Sequence, residues 1–252
     1  MGIMAARMRA ACGLVGPAAF TAAWALATAR QPGYSIANEH ISGLAAPDAK
    51  APRVMTAGFV ALGVGTVVFA SQLDRRLGGP GRSGVGPLLL GLSGVATTAA
   101  GVLRRDRMSN YPMPGDPLEP QSWRNDGHDL ASVIGHVSAG VGMLALAARF
   151  TREPGWRELA APVAATVVTS TGLMAAFARD VTRPGNGIVQ RVGITVPVGA
   201  MGLVAWKLLR DPEPPGAARG AAAPQASASP GTSARVRSTS TSIAATSSST
   251  ES

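Results

Sequence analysis

LASVIGHVSAGVGMLALAARF, residues 130–150, decides the fold: across these 21 positions the only full charge is Arg149, next to the end. Such a run is long enough to cross a hydrocarbon core of about 30 Å as a helix, in which the backbone satisfies its own hydrogen bonds. Working outward, five other stretches meet the same test: 10–29, 54–73, 85–103, 159–178 and 188–209. Each is bounded by Arg, Lys, Asp, Pro or Gly. Residues 1–211 therefore read as an all-α polytopic membrane domain, with six transmembrane helices in an antiparallel bundle. After Asp211 the chain turns to Pro, Ala, Gly, Ser and Thr, so 212–252 reads as a disordered tail that cannot bury enough apolar surface to fold.

Composition agrees. Charged residues make up 15% of the 252, against about a quarter in an ordinary soluble domain, and 46% are hydrophobic. The net charge of +9 would suit a nucleic-acid binder. Its cations, however, lie in short clusters at the ends of apolar runs, and no basic helix face or aromatic-interleaved patch is present. Nucleic acid is excluded on that ground, and membrane lipids are the expected partners. Cys12 is the single cysteine, which rules out an intrachain disulfide or a cysteine metal cluster. No signal for oligomeric state is present.

The first apolar run has a rival reading. Arg7 and Arg9 ahead of it, and Ala27-Thr28-Ala29 at its end, also suit a cleavable signal peptide, although the run is longer than the usual signal core. Either way the segment after Arg30 is sent outward. With the N-terminus inside, Lys and Arg divide 13 to 10 in favour of the cytoplasmic side, tail included. The expectation is a cell-membrane protein with both termini cytoplasmic and the two long loops, 31–53 and 104–129, outside.

Small residues at four-residue spacing mark expected packing seams, because helices in lipid associate through close backbone approach. They are Ala57, Ala61 and Gly65; Gly94 and Thr98; Ser138 and Gly142; Thr195 and Gly199. Pro197 should kink the last span and leave a backbone carbonyl for a partner.

Polar chemistry concentrates on the outer side. The first outer loop, Tyr34-Ser35-Ile36-Ala37-Asn38-Glu39-His40-Ile41-Ser42-Gly43-Leu44, is amphipathic and reads as a short helix lying at the interface. Glu39, His40 and Ser42 offer an acid, a base and a nucleophile, but adjacent helical residues point apart, which makes a local triad poor geometry. His40 reads first as an interfacial polar residue. Trp123 reads as an interfacial anchor.

His128, Ser132 and His136 follow at i, i+4 and i+8 along one helix face. The histidines are about 12 Å apart in rise, too far to share one metal ion, and a zinc site would have to recruit Asp106, Asp126 or Glu39. His136 is the one histidine inside a span, so paired haem ligands are lacking. No cofactor and no metal are expected. Ionisable groups within spans are costly and default to functional candidates. His136 would be neutral and bonded to a threonine or a backbone carbonyl. Arg191 would either snorkel outward or pair with Asp106, Asp180 or a lipid headgroup.

Several of these stretches together resemble the DUF998 family of six-span membrane proteins. They are Tyr34-Ser35, His40-Ile41-Ser42-Gly43-Leu44-Ala45, the start of the second span from Pro52 to Gly58, Arg105-Asp106, Gly127-His128-Asp129, and Gly187-Ile188-Val189-Gln190-Arg191. The resemblance covers roughly residues 10 to 210 and implies the six-span architecture. One departure is Gly43, where the family often has an acidic residue, so no role of that acid carries over. The family brings no established activity.

Three function readings follow. The first is a polar outer pocket of His40, Ser42, Asp106, His128 and Arg191 that takes a lipid headgroup or small ligand, with Arg105, His128, His136 and Arg191 as binding candidates. The second is an interfacial hydrolase or lipid-modifying enzyme with His128 as base and Asp106 as its partner, and His40 and Ser42 as further catalytic candidates. The third is a small-solute transporter, for which the spans offer little beyond Ser, Thr and His136.

Overall fold

A computed structural model of the chain describes residues 2–78, 83–108 and 121–211, so the expected tail lies outside the described residues. The domain is helical: α1 Ile3–Ala29, α2 Pro52–Leu77, α3 Val85–Leu103, α4 Trp123–Phe150, α5 Arg157–Arg179 and α6 Asn186–Arg210. All six are long and apolar enough to cross a membrane. This is a multi-pass membrane protein. Most of the helices overrun their apolar stretches, because hydropathy marks only the part suited to hydrocarbon. In α4 the overrun is a full polar turn and more, started by Ser122, whose hydroxyl accepts the Asn125 N–H at 3.3 Å, with Asp126 in the positive first turn.

Consecutive helices pack on one another, and α6 returns to pack on α1, which closes an up-and-down ring. α1 is part of its wall, burying Ala10, Phe20 and Ala27. Excision of α1 as a signal peptide would open the ring between α6 and α2.

Three of the small-residue seams carry helix crossings. A Cβ on Gly65 would lie 3.1 Å from the Cys12 carbonyl oxygen of α1, one on Gly94 2.5 Å from that of Gly63 in α2, and one on Gly142 3.0 Å from that of Gly86 in α3. The fourth expected seam is a correction. Nothing approaches within 4 Å of a Cβ built on Gly199, which faces an open groove between α1 and α6. Four-residue spacing places small residues on one face, but whether a helix covers that face depends on the ring order.

The first long loop also differs from expectation. Instead of an interfacial amphipathic helix it makes a 3₁₀ turn, Ile41–Ala45, all of it buried. Ile41, Leu44, Ala45 and Ala46 are at most 2% exposed, so the apolar side of this loop faces the helix bundle instead of lipid.

Candidate functional site: a latched loop and a cavity in the bundle

The loop is held by the start of α6. A Cβ on Gly187 would sit 2.6 Å from the Ile36 carbonyl oxygen and 2.7 Å from that of Glu39, so only glycine admits the loop backbone this close. The Ile188 N–H then donates to the Ala37 carbonyl at 3.2 Å. Gln190 accepts the Ile41 N–H at 2.8 Å, and the Asn38 side chain accepts the Gly185 N–H at 2.9 Å. These bonds use backbone groups that an isolated helix start would leave unpaired.

Arg191 completes the latch. It is 7% exposed. Its Nη1 donates to the carbonyls of Ile36 and Glu39 at 2.8 Å each and of Gly187 at 2.9 Å, and its Nη2 to the Tyr34 hydroxyl at 2.7 Å. Tyr34 donates in turn to the His40 carbonyl at 2.8 Å. The guanidinium also lies 5.6 Å from the Trp24 ring and 5.5 Å from the Tyr34 ring. The expected snorkelling and the expected pairing with Asp106 or Asp180 are thereby corrected. It neither snorkels nor pairs with Asp106 or Asp180, because a fork of donors finds converging carbonyls inside the cap.

His40 is likewise buried, at 2% exposed, instead of interfacial. Its Nε2–H donates to the Val181 carbonyl at 3.1 Å, which leaves Nδ1 to accept from Arg105 Nη1 at 3.2 Å. Burial, reinforced by the charge of Arg105, pushes its pKa from 6.5 down to about 4. His40 is a neutral cross-link between the two long loops and the α5–α6 connection. Ser42 is buried in the 3₁₀ turn, and its neighbour Gly43 lies so close to the Met108 carbonyl that a side chain there would overlap it. An acidic side chain at this position would have no room.

Asp106 and His128 serve different partners. Asp106 accepts the Ser122 backbone N–H at 2.7 Å and its hydroxyl at 2.5 Å, bonds that hold its carboxyl below the usual range and brace the start of α4. His128, 2% exposed, directs Nδ1–H to the Ala100 carbonyl at 2.7 Å and meets the Phe59 ring edge-on at 6.2 Å. It fastens α4 to α3 at the roof of a cavity.

That cavity, about 150 Å³, lies in the middle of the ring. Phe59 and Ala100 are at its top, Leu90, Met143 and Met201 at its floor, and Thr66, Ser93, Thr97, Ser132 and His136 provide its polar groups. The sequence stripe thus divides: His128 belongs to the roof, while Ser132 and His136 line the space beneath. His136 bonds a serine instead of the expected threonine. Pro197 lacks an N–H and so frees the carbonyl of Gly193, to which Ser170 donates its only hydroxyl hydrogen at 2.6 Å. Ser170 must then accept from His136 Nε2–H, 3.4 Å away, which makes Nδ1 the lone-pair nitrogen. Among the described residues Nδ1 has no hydrogen-bond partner.

The family description "Protein of unknown function (DUF998)" matches residues 14–207, from within α1 to within α6. The chain belongs to the DUF998 family. No curated protein and no solved structure matches it. The DUF998 resemblance seen in the sequence acquires a physical meaning in this geometry. Tyr34, Gly187, Gln190 and Arg191 make the latch, His40 and Arg105 cross-link it, and His128 secures the roof.

The sequence reading did not single out Tyr34, Gln190, Ser170, Ser93 or Thr97 as site residues. The available signal for Ser170 was Pro197, which announced a free carbonyl without saying which helix would supply its donor. Among the described residues, no three of His, Cys, Asp and Glu are grouped as metal ligands would be.

Proposed function

We propose that this membrane protein binds a small, mostly apolar molecule bearing one hydroxyl or comparable donor, held in the cavity among the helices. The observation that carries the reading is the unpartnered Nδ1 of His136 in a cavity lined mostly by apolar side chains. A lone-pair nitrogen facing this space offers an acceptor to a ligand donor, a hydrogen bond worth about 1 kcal/mol. The volume of about 150 Å³ suits a ligand of one-ring size. The long-loop face lies outward and both termini are cytoplasmic, in keeping with the Lys and Arg distribution.

The hydrolase reading requires His128 and Asp106 to act together, and the bonds of each lead elsewhere. A transporter needs a polar path onward, and the cavity floor is Leu90, Met143 and Met201 with the Thr66 hydroxyl turned back to the Leu62 carbonyl of its own helix.

The test is binding of phenol against toluene to the detergent-purified full chain, read by calorimetry and thermal stabilisation. Phenol should bind about ten-fold tighter, a discrimination that His136→Leu removes, and Met143→Trp should abolish both. Equal binding of the two by the wild type, or discrimination that survives in His136→Leu, overturns the proposal.

A further inference from the structure

A second feature lies on the outside of the ring. α2 forms the floor of an apolar groove of about 780 Å³ between α1 and α3, open to the lipid side. Thr56, Ala57, Val60, Ala61, Val64 and Val68 line it along α2. Its depth follows from α2 itself: the 16 residues from Arg53 to Val68 rise about 22 Å, most of a hydrocarbon core of about 30 Å. One leaflet is half of that core, about 15 Å, so the groove is long enough to follow an acyl chain through it, and its open side exposes Val15, Val64 and Val102.

Two cations stand at the long-loop end of this groove, Arg53 at the start of α2 and Arg104 just past the end of α3. Among the described residues neither guanidinium has a hydrogen-bond or ion-pair partner. Some other cations at helix ends are engaged, Arg124 stacking on Trp123, Arg210 on Trp206 and Lys207 pairing with Glu158, and Arg30 and Arg179, which are not, do not line the groove. Arg104 is also the one non-glycine residue with positive φ among those described, at 42°. An arginine in that region is strained, and the strain sets apart two successive arginines, with Arg105 turned to His40 in the cap and Arg104 to the groove.

We infer that the groove is a binding site for one anionic phospholipid, its phosphate between Arg53 and Arg104 and an acyl chain laid along α2. The charge pair selects an anionic headgroup, because each cation near the surface contributes on the order of 1 kcal/mol toward an anionic lipid. This site is separate from the cavity inside the ring and stands whether or not that cavity takes a ligand.

The experiment reconstitutes the full chain in bilayers of phosphatidylglycerol and phosphatidylcholine, extracts it in mild detergent, and measures retained phospholipid by mass spectrometry. The wild type should keep about one phosphatidylglycerol per chain in preference to phosphatidylcholine. Arg53→Gln with Arg104→Gln should lower that preference about ten-fold, and the corresponding double lysine variant should keep it. Val64→Trp, which fills the groove and leaves both arginines, should lower total retention, an effect that binding of free phosphate would not show.

Undiminished preference in the double glutamine variant, undiminished retention in Val64→Trp, or a wild type without preference overturns the inference. So does disulfide cross-linking of Cys12→Ser/Val64→Cys between two copies in the bilayer, which would make a second chain the occupant.

Discussion

Ser170 on α5 supplies the hydrogen bond that Gly193 on α6 loses to Pro197 four residues on, and through it positions His136 on α4. A break in one helix is mended by a second and used by a third. This places an imidazole in the bundle at a cost its neighbours offset, since an unpaired carbonyl in hydrocarbon is expensive.

Ser170→Ala should destabilise the domain by about 1 kcal/mol, the range of single hydrogen bonds within membrane helices. Pro197→Ala returns an N–H to the Gly193 carbonyl. The Ser170→Ala/Pro197→Ala pair should therefore be less destabilised than the sum of the single variants. Thermal or denaturant unfolding of the four proteins measures this coupling, and strict additivity would refute the link.

Gly43→Ala and Gly187→Ala should each cost about 1–3 kcal/mol, because their Cβ atoms would press on the Met108 carbonyl and on the Ile36 and Glu39 carbonyls. Gly172→Ala provides the contrast: nothing lies within 4 Å of its Cβ position in α5, and the change should stabilise by about 0.5–1 kcal/mol. Melting temperatures and limited proteolysis of the first long loop report all three.

Arg191→Lys should fail to replace arginine despite keeping the charge. A single ammonium cannot reach the Ile36, Glu39 and Gly187 carbonyls together with the Tyr34 hydroxyl. Tyr34→Phe, which removes one member of the network, should cost about 1 kcal/mol. Size-exclusion profiles and melting curves should rank wild type above Tyr34→Phe, and Tyr34→Phe above Arg191→Lys.

Stability should fall on acidification through the His40 window. Above pH 6.5 the ring is neutral in folded and unfolded chains alike, whereas between 6.5 and about 4 the unfolded chain takes up a proton that the folded one refuses. That uptake removes up to about 1.4 kcal/mol per pH unit, with the loss complete below about 4. Melting curves from pH 8 to 4.5 should show this slope in the wild type and a shallower one in His40→Gln.

Much of the architecture was legible because transfer into hydrocarbon is a property of local composition. Residues 130–150 can satisfy their backbone only as a helix, and the same reasoning places the other five spans. Pro197 likewise announced a free carbonyl from its covalent structure alone. The polar residues of the first loop were harder. Alternation in 34–48 gives an apolar side, but whether that side meets lipid or protein depends on Gly187 admitting the loop to α6, about 150 residues away in sequence.

The sequence by itself determined six membrane spans and the crowding of polar groups on one side. Tertiary structure alone decided what those groups do. It gave Arg191 to backbone carbonyls, Asp106 to the start of α4, and His136 to a cavity, because hydrogen-bond partners are chosen by distance after the ring closes. The stripe of His128, Ser132 and His136 was visible from a helical period, but its division into roof and chamber was set by where α3 and α6 come to pack.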